Sequence, residues 1–423
     1  MMNKDDNSSS SPGRTNKSVF CALLLLTTAA LLFVEVERNF NLEPQLFDKE
    51  RIETDSPLAE PHWCQTADEY SNGRWVYYDD DSSTSSNNVG YPYWSDPDPV
   101  WGPRCTQLQQ KYQESGENKE LLPDFLRYKW HPNSNCEMAL QHGRTWDKSR
   151  FCQQLAGKTI GVSGDSLSQQ FVHSLMGFSR GSVEEHTKFV IPTNWGDDIP
   201  GHWVKLRIPL CSSHDSDVIG TENNNSATSD DVTLIYQRWD KYQGGQKDRA
   251  ALTELIQESD YLILNWGVHY QTWSDMERAT DDLVSVLEAH WRPPHKQPER
   301  LFWRSTNVAH ASCSMATEPL GMTRNQTDST RGRNGAINPT SVIHHLYHTE
   351  EILMQDEHIV RPRLRAKLPQ MTFLRVEEST LQRPDGHRVE GFKGQEDCLH
   401  YCEPGPIDHW AELFYHYVVA LKT

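Results

Sequence analysis

Three residues of this chain could together support nucleophilic catalysis. Ser166 lies in Gly164-Asp165-Ser166, directly after the apolar run at 158–163. A serine hydroxyl is a weak nucleophile that needs a base to take its proton. His400 suits that role because neutral imidazole accepts a proton near pH 7, provided that a carboxylate fixes its tautomer. Asp397 stands three residues earlier, and we expect a helical turn to place both side chains on one face.

The segments around Ser166 predict a strand, a turn and a helix. Lys158–Ser163 is a short apolar run typical of a buried strand, and Leu167–Gly177 has helical spacing. Ser166 would then lie at the carboxyl end of a strand, where α/β folds bind ligands. It would also lie at a helix N-terminus, whose free N–H groups can stabilise an oxyanion. Gly-Asp-Ser alone is more typical of a capped turn, and Asp-x-x-His alone of a solvated turn, but the two motifs rarely occur together in these positions by chance.

Other segments predict an α/β fold with a parallel sheet. Short apolar runs alternate with helical patterns, which favours a sheet covered by helices on both faces. The predicted strands are Val232–Tyr236, Tyr261–Asn265 and Leu301–Arg304, and a helix is predicted at Met276–His290. The last helix has one apolar stripe, formed by Trp410, Leu413, Phe414, Tyr417, Val418 and Leu421.

The N-terminal region predicts a membrane anchor. Val19–Val34 is an uncharged apolar run of 16 residues, with Arg14 and Lys17 before it and acidic residues after it. The run is slightly shorter than the usual membrane span, and its flanking charges place the N-terminus in the cytosol. A cleaved signal peptide is the alternative. We therefore predict a cytosolic tail at 1–17, an anchor at 18–36, a stem at 37–62 and a lumenal domain at 63–423.

Composition agrees with a lumenal domain. Eight cysteines follow the apolar run, an even number that favours disulfides in an oxidising compartment; they are Cys64, Cys105, Cys136, Cys152, Cys211, Cys313, Cys398 and Cys402. Asn224 and Asn325 lie in glycosylation sequons. The formal net charge of −18 argues against a nucleic-acid partner.

A metal site is the less favoured interpretation of the histidine-rich segment. His344, His345 and His348 could share a helix face, but a catalytic zinc would need a third ligand and a recognisable motif such as HExxH, which the chain lacks. We predict no metal and no bound cofactor.

From about Cys64 to the C-terminus, the sequence resembles the trichome-birefringence-like group of plant polysaccharide O-acetyltransferases, within the PC-esterase branch of the GDSL/SGNH superfamily. DCLHYCEPGPIDHWAELFY (397–415) follows the family pattern DCxHWCLPGxxDxWNELLY. The other similar blocks occur in the family order: GRWVYY (73–78), YPYW (91–94), YKWHPNSNCEM (128–138), LNWGVHY (264–270), FWRSTNVAH (302–310) and LQRPDGH (381–387).

The resemblance implies a fold, an activity and roles for individual residues. The fold would be an SGNH-hydrolase-like three-layer α/β/α sandwich with a smaller disulfide-bonded lobe, built partly from residues 63–150. Ser166 would be the nucleophile, His400 the base and Asp397 its orienting carboxylate. The Asn265 side chain and the Ser166 backbone N–H would bind the oxyanion. The alternative for Asn265 is a strand-end residue that caps a turn. Further residues would bind substrate or brace the cleft: Asp165, Arg304, His310, Arg383, Asp385 and His387.

The chain departs from the family pattern next to the nucleophile. The family motif continues GDSLxRNQ, whereas Gln169 and Gln170 stand here in place of its Arg and Asn. Val268 also separates Gly267 from His269. These differences bear on the identity of the acetyl donor or acceptor more than on the three catalytic candidates.

We therefore predict a Golgi O-acetyltransferase with a single-pass type II anchor. It would transfer an acetyl group from acetyl-CoA or another carrier to a polysaccharide or glycan hydroxyl. One alternative is a lumenal acetyl-esterase with the same residues, which differs only in admitting water. Another is a non-catalytic glycan-binding protein that keeps the fold.

Overall fold

A computed structural model describes residues 62–77, 126, 128–140, 146–180, 204–211, 231–270, 272–307, 309–320, 349–390, 396–403 and 405–421. The predicted tail, the anchor and almost all of the stem lie outside these residues. So do Cys105, Asn224, Asn325 and the histidines at 344, 345 and 348. Among the described residues, no helix combines the length and apolar character needed to cross a bilayer.

The described strands form one large sheet and two small antiparallel pairs. The pairs are β1 with β2 and β9 with β10. The strands are β1 (Gly73–Tyr77), β2 (Tyr128–Pro132), β3 (Thr159–Gly164), β4 (Val204–Cys211), β5 (Val232–Arg238), β6 (Tyr261–Asn265), β7 (Leu301–Arg304), β8 (Thr372–Leu374), β9 (His387–Glu390) and β10 (Glu396–Tyr401).

The large sheet has six strands in the order β4-β5-β3-β6-β7-β8. Five of them are parallel, as predicted, whereas β4 is an antiparallel edge strand. From β3 the chain first adds β5 on one side and then β6 on the other. This reversal makes the carboxyl ends of β3 and β6 the topological switch point, where open α/β sheets bind ligands.

Nine α-helices accompany these strands in the described residues. They are α1 (Ala67–Ser71), α2 (Lys148–Gln154), α3 (Ser166–Arg180), α4 (Gln246–Glu258), α5 (Trp273–His290), α6 (Thr349–Gln355), α7 (Arg361–Lys367), α8 (Glu377–Leu381) and α9 (Asp408–Val419). A π-helical turn, Asp356–Val360, joins α6 to α7.

Helices cover both faces of the large sheet. Side chains alternate across a strand, and those of β6 divide accordingly between two hydrophobic clusters. Tyr261 and Ile263 pack with residues of α3 and α9, whereas Leu262 and Leu264 pack with residues of α4, α5 and α7. The predicted layering of helices on both sides of a largely parallel sheet is therefore confirmed.

The segment from residue 62 to 140 does not form a separate lobe in its described part. The described residues from 62 onward cluster as one compact unit, and Cys64, Tyr70 and Met138 belong to the same hydrophobic cluster as α9. The Nε2 atom of His416, in α9, lies 2.8 Å from the carbonyl oxygen of Cys64. Burial of these side chains against α9 makes the segment continuous with the main core.

Disulfides connect distant parts of this unit, as predicted. The described pairs are Cys64–Cys136, Cys152–Cys211 and Cys313–Cys398. Cys402 is disulfide-bonded as well.

Glu412 is an ionised carboxylate that should make the stability of the fold depend on pH. Its carboxylate lies 3.5 Å from Lys129 Nζ and 3.5 Å from His409 Nδ1. Burial acts to raise its pKa, but the Lys129 and His409 interactions outweigh burial and lower the pKa of Glu412 to about 2. Because the pKa is lower in the folded state, the stabilisation is present above pH ~4.3 and is lost as pH falls towards 2.

We expect Glu412→Gln to lower the free energy of unfolding at pH 7 by about 3 kcal/mol. The difference from the parent chain should shrink as pH falls, and urea unfolding at pH 7 and pH 2.5 would measure it. Glu288→Gln is the control, since Glu288 is 37% exposed and lies 4.0 Å from Lys367. An equal loss at both pH values would contradict the assignment.

Candidate active site

Ser166 begins α3, and only Asp165 separates it from the end of β3. It is partly exposed, whereas every other residue from 160 to 179 is buried. Position 164 requires glycine, because a side chain there would collide with the Ser168 hydroxyl and the Asn265 carbonyl. The close approach of α3 to β6 thus presents the Ser166 hydroxyl at the switch point.

Asp165 caps the start of α3. Its Oδ1 accepts a hydrogen bond from the Leu167 N–H at 3.0 Å, and its carbonyl accepts one from the Gln169 N–H at 3.1 Å. The Tyr236 hydroxyl also donates to this carbonyl at 3.0 Å. Asp165 was predicted to bind substrate, and in this structure its fully buried side chain fixes the turn before α3.

Ser166, His400 and Asp397 come together at the carboxyl edge of the sheet. His400 Nε2 lies 2.7 Å from Ser166 Oγ, across 234 positions of sequence. On the other side of the ring, His400 Nδ1 lies 3.1 Å from Asp397 Oδ1 and 3.0 Å from Oδ2. Nucleophile, base and orienting carboxylate thus form one continuous line of contacts.

Asp397 and His400 lie in an irregular strand, and the predicted helical turn was wrong. Both belong to β10, whose pairing with β9 shifts register between Asp397 and Tyr401. Asp397 Oδ1 accepts hydrogen bonds from the backbone N–H groups of Leu399 (3.2 Å) and His400 (3.1 Å). An aspartate that binds the backbone two and three residues ahead folds the chain back locally, which brings the two side chains together without a helix.

The charge on Asp397 is stabilised from two sides. Arg388 Nε donates a hydrogen bond to Asp397 Oδ2 at 2.6 Å, and Arg388 Nη2 lies 2.5 Å from the same oxygen. Burial acts to raise the pKa of Asp397, but the charge and hydrogen bonds of His400 and the Arg388 guanidinium outweigh burial and hold the pKa well below its usual range. The carboxylate is therefore ionised and can act as the acceptor that orients the imidazole.

The Asn265 side chain is not free to bind an oxyanion in this structure. Its Nδ2 donates to the Arg304 carbonyl at 2.8 Å and to the Thr306 hydroxyl at 3.0 Å, so both N–H groups are occupied. Its Oδ1 accepts from Arg304 Nη2 at 2.6 Å. The other predicted donor, the Ser166 backbone N–H, begins the helix and lacks an intrahelical acceptor.

Arg304 braces the site from inside the core. Its guanidinium also donates to Ser168 Oγ at 3.2 Å and lies 4.3 Å above the Trp410 ring. Burial lowers its pKa to about 10, so it remains charged. Arg304 thereby links β7 to α3, β6 and α9 and does not reach a cleft.

His310 and His387 form a buried pair that contacts the backbone of His400. His387 Nδ1 lies 2.9 Å from the His400 carbonyl, and His387 Nε2 lies 2.6 Å from His310 Nδ1. Burial lowers the pKa of His310 to about 4 and that of His387 well below its usual value. The pair supports β10.

Arg383 and Asp385 form a structural ion pair. Arg383 binds both Asp385 oxygens, at 2.8 and 3.0 Å, and its guanidinium lies 4.5 Å above the Trp75 ring. Both side chains are only 1% exposed. The pair anchors β1 beside β9, so the predicted bracing role fits the two residues better than substrate contact.

The disulfide between Cys313 and Cys398 lies within the site, because Cys398 directly follows Asp397. We expect removal of this bond by Cys313→Ala with Cys398→Ala to lower the free energy of unfolding by about 2–5 kcal/mol. The rate at which a fluorophosphonate probe labels Ser166 in the remaining folded protein should also fall. A Cys152→Ala and Cys211→Ala pair is the control, and equal labelling of both folded double variants would argue against a role in the site.

Three residues of the site were missed by sequence reasoning. Arg388 follows the Asp-Gly-His block, and its partner is known only once β9 and β10 pair. Asn307 donates to the Leu399 carbonyl at 3.2 Å. Gln170 donates to the Tyr401 carbonyl at 2.8 Å and accepts from the Tyr401 N–H at 3.2 Å. In the sequence, the only indication of a role for Gln170 was that it replaces the Asn of the family motif.

Comparison with known protein families identifies the family of this chain. The model of PC-Esterase, a GDSL/SGNH-like acyl-esterase family found in Pmr5 and Cas1p, matches residues 145–417. The chain belongs to the PC-esterase family. The matched region contains Ser166, Asp397 and His400, and the resemblance inferred from the sequence blocks is confirmed.

Individual relatives of this PC-esterase are similar at low identity. Xyloglucan O-acetyltransferase 2 of Arabidopsis thaliana is 24% identical over 335 residues, covering 69% of this chain and 72% of that protein. Protein trichome birefringence-like 23 of the same species is 22% identical over 354 residues, with 75% and 77% covered. Xyloglucan O-acetyltransferase 4 of Populus trichocarpa is 36% identical over 93 residues, which span 22% of that protein.

Proposed function

We propose that this PC-esterase is an O-acetyltransferase that modifies polysaccharide hydroxyls through an acetyl ester of Ser166. The observation that supports this most is the 2.7 Å contact between Ser166 Oγ and His400 Nε2, with Asp397 on the far side of the ring. Relatives named xyloglucan O-acetyltransferases support the choice of acceptor class.

In the first half-reaction, Ser166 Oγ attacks the acetyl carbonyl carbon of the donor while His400 Nε2 takes the hydroxyl proton. The Ser166 backbone N–H lies at a helix N-terminus, where it can bind the oxyanion of the tetrahedral intermediate. The bond to the donor's leaving group then breaks, and His400 protonates that group. An acetyl ester on Ser166 remains.

In the second half-reaction, a sugar hydroxyl replaces the leaving group. His400 removes its proton, the sugar oxygen attacks the acetyl carbon, and Ser166 Oγ leaves and regains a proton from His400. If water enters instead, the same residues release acetate. A transferase and an esterase would therefore use the same catalytic residues. They would differ in whether a sugar hydroxyl or water reaches the acyl-enzyme.

The proposal is tested by detecting the intermediate. The purified full chain in detergent is exposed briefly to p-nitrophenyl acetate, and peptides are examined by mass spectrometry for an acetyl adduct on Ser166. The adduct should be absent from Ser166→Ala and present in Ser274→Ala, because Ser274 is an exposed serine in the first turn of α5. Absence of the adduct in the parent chain, with hydrolysis unaffected by Ser166→Ala, would overturn the proposal.

Adding xyloglucan oligosaccharides distinguishes transfer from hydrolysis. For a transferase, the oligosaccharide should shorten the lifetime of the adduct and become acetylated. Acetate release that is unchanged by oligosaccharide would identify an esterase. An intact chain that binds oligosaccharide but neither forms the adduct nor releases acetate would be a glycan-binding protein.

We also propose that residues 18–36 anchor the protein in the Golgi membrane with residues 63–423 in the lumen. The disulfides of the described domain support an oxidising compartment. Protease treatment of intact microsomes should leave the domain protected, and digestion of the domain without detergent would contradict this orientation.

A further inference from the structure

Gln170 connects the helix of Ser166 to the strand of His400. It lies one helical turn after Ser166 on α3 and is fully buried. Its side chain binds the backbone of Tyr401, the residue that follows His400. Gln170 Nε2 donates to the Tyr401 carbonyl at 2.8 Å, and Gln170 Oε1 accepts from the Tyr401 N–H at 3.2 Å. One side chain thus holds the nucleophile's helix against the peptide next to the base.

Side chains bind the backbone of the segment around Tyr401, in addition to the hydrogen bond that the Cys398 carbonyl accepts from the His310 N–H at 3.0 Å. Between Asp397 and Tyr401 the ladder with β9 is interrupted, so it cannot hold these peptides in register. Asp397 accepts from the Leu399 and His400 N–H groups, within the same segment. Other elements supply Asn307, which binds the Leu399 carbonyl, and His387, which lies 2.9 Å from the His400 carbonyl.

Gln170 differs from these neighbours because it shares a helix with Ser166. The hydroxyl of Ser166 and the amide of Gln170 are separated by one turn of a hydrogen-bonded helix, and their partners His400 and Tyr401 are consecutive. Two contacts therefore join α3 to β10 side by side. If the Gln170 contact is lost, only the Ser166–His400 hydrogen bond remains of these two contacts.

We propose that Gln170 is a positioning residue that sets the distance between Ser166 Oγ and His400 Nε2. The inference rests on the proposed function, since it assigns a role within that reaction. A misplacement of about 1 Å between reacting groups can cost about 10²-fold in rate. A purely structural Gln170 would instead affect folding and leave the reactivity of folded Ser166 unchanged.

The neighbouring Gln169 provides a matched control. It is also buried and lies on the same turn of α3, but its Oε1 accepts from Arg238 Nη1 at 2.9 Å, away from β10. A glutamate at either position has nearly the same shape and adds the same charge. At 169 it would face a guanidinium, whereas at 170 it would face the Tyr401 carbonyl and lack the donor.

The experiment measures Ser166 reactivity in the full chain in detergent. A fluorophosphonate probe reacts when Ser166 Oγ attacks phosphorus, fluoride leaves and His400 takes the hydroxyl proton. The variants are Gln170→Glu, Gln170→Asn, Gln170→Met and Gln169→Glu, each assayed below its own thermal unfolding midpoint. The kcat and KM for p-nitrophenyl acetate are measured in parallel.

We expect phosphonylation and kcat to fall about 10- to 100-fold in Gln170→Glu and Gln170→Met, with KM nearly unchanged. Gln170→Asn keeps the amide on a shorter side chain and should give a smaller loss. Gln169→Glu should remain within about threefold of the parent chain, because its charge meets Arg238.

Two results would overturn the inference. One is a phosphonylation rate and a kcat equal to those of the parent chain in folded Gln170→Glu and Gln170→Asn. These two variants are sufficient for the test if Gln170→Met does not fold. The other is an equal loss in Gln169→Glu, which would attribute the effect to buried charge. A parent chain whose phosphonylation does not require Ser166 would count against the proposed function instead.

Discussion

Ser166→Ala should reduce acetyl transfer by about 10⁴- to 10⁶-fold, and His400→Ala should reduce it to a similar extent. The reason is that the two side chains act as one unit. Without His400 the hydroxyl keeps its proton, and without Ser166 the imidazole has no nucleophile to activate. Initial rates of acetate or acetyl-sugar formation from p-nitrophenyl acetate, at equal concentrations of folded protein, would measure the loss.

The double variant provides the sharper comparison. Because neither residue works alone, Ser166→Ala with His400→Ala should be no slower than either single variant. His358→Ala is the control for histidine removal, since His358 is exposed on the π-helical turn. Losses that multiply in the double variant would mean that Ser166 and His400 act independently, in conflict with their 2.7 Å contact.

The strands and helices that position Ser166 were predictable from local patterns. Tyr261–Asn265 is buried at all five positions, as a continuous apolar run between polar residues predicts. The strand before Ser166 and the helix after it were predicted to within a few residues of 159–164 and 166–180. Buried parallel strands are recognisable as continuous apolar runs because helices cover both of their faces.

The antiparallel strand β4 was not predicted, although Val204–Cys211 alternates apolar and polar residues as a half-buried strand does. Its direction depends on pairing with β5, which comes later in the chain. Local sequence patterns contain no information about that pairing.

The fine geometry of the site also depends on distant partners. Asn265 was correctly placed at a strand end, but its amide is occupied by Arg304, 39 residues later on the neighbouring strand. The spacing of Asp397 and His400 is compatible with a helix or with a folded strand. The register shift against β9, and not the spacing, decides between them.

Asp397→Asn should change the pH dependence of stability as well as activity. Because the pKa of Asp397 is lower in the folded state than its ordinary value near 3.9, its ionisation stabilises the fold above that pH and the stabilisation is lost as pH falls. The variant should therefore show a weaker decline of unfolding free energy below pH ~4. Asp281→Asn is the control, since Asp281 is 66% exposed and binds Arg363 at the surface.

The larger effect of Asp397→Asn should be on kcat, with a loss of about 10⁴-fold. The asparagine oxygen can still accept from the Leu399 and His400 N–H groups, so the backbone can keep its shape. Its NH₂ group, however, would face the Arg388 guanidinium and the Nδ1 atom of His400. A donor there favours the tautomer with the proton on Nε2, which cannot accept the proton of Ser166. The loss should be smaller than for Ser166→Ala, because the nucleophile remains. A folded Asp397→Asn variant with more than a tenth of the parent kcat would show that the carboxylate does not orient His400 for the reaction.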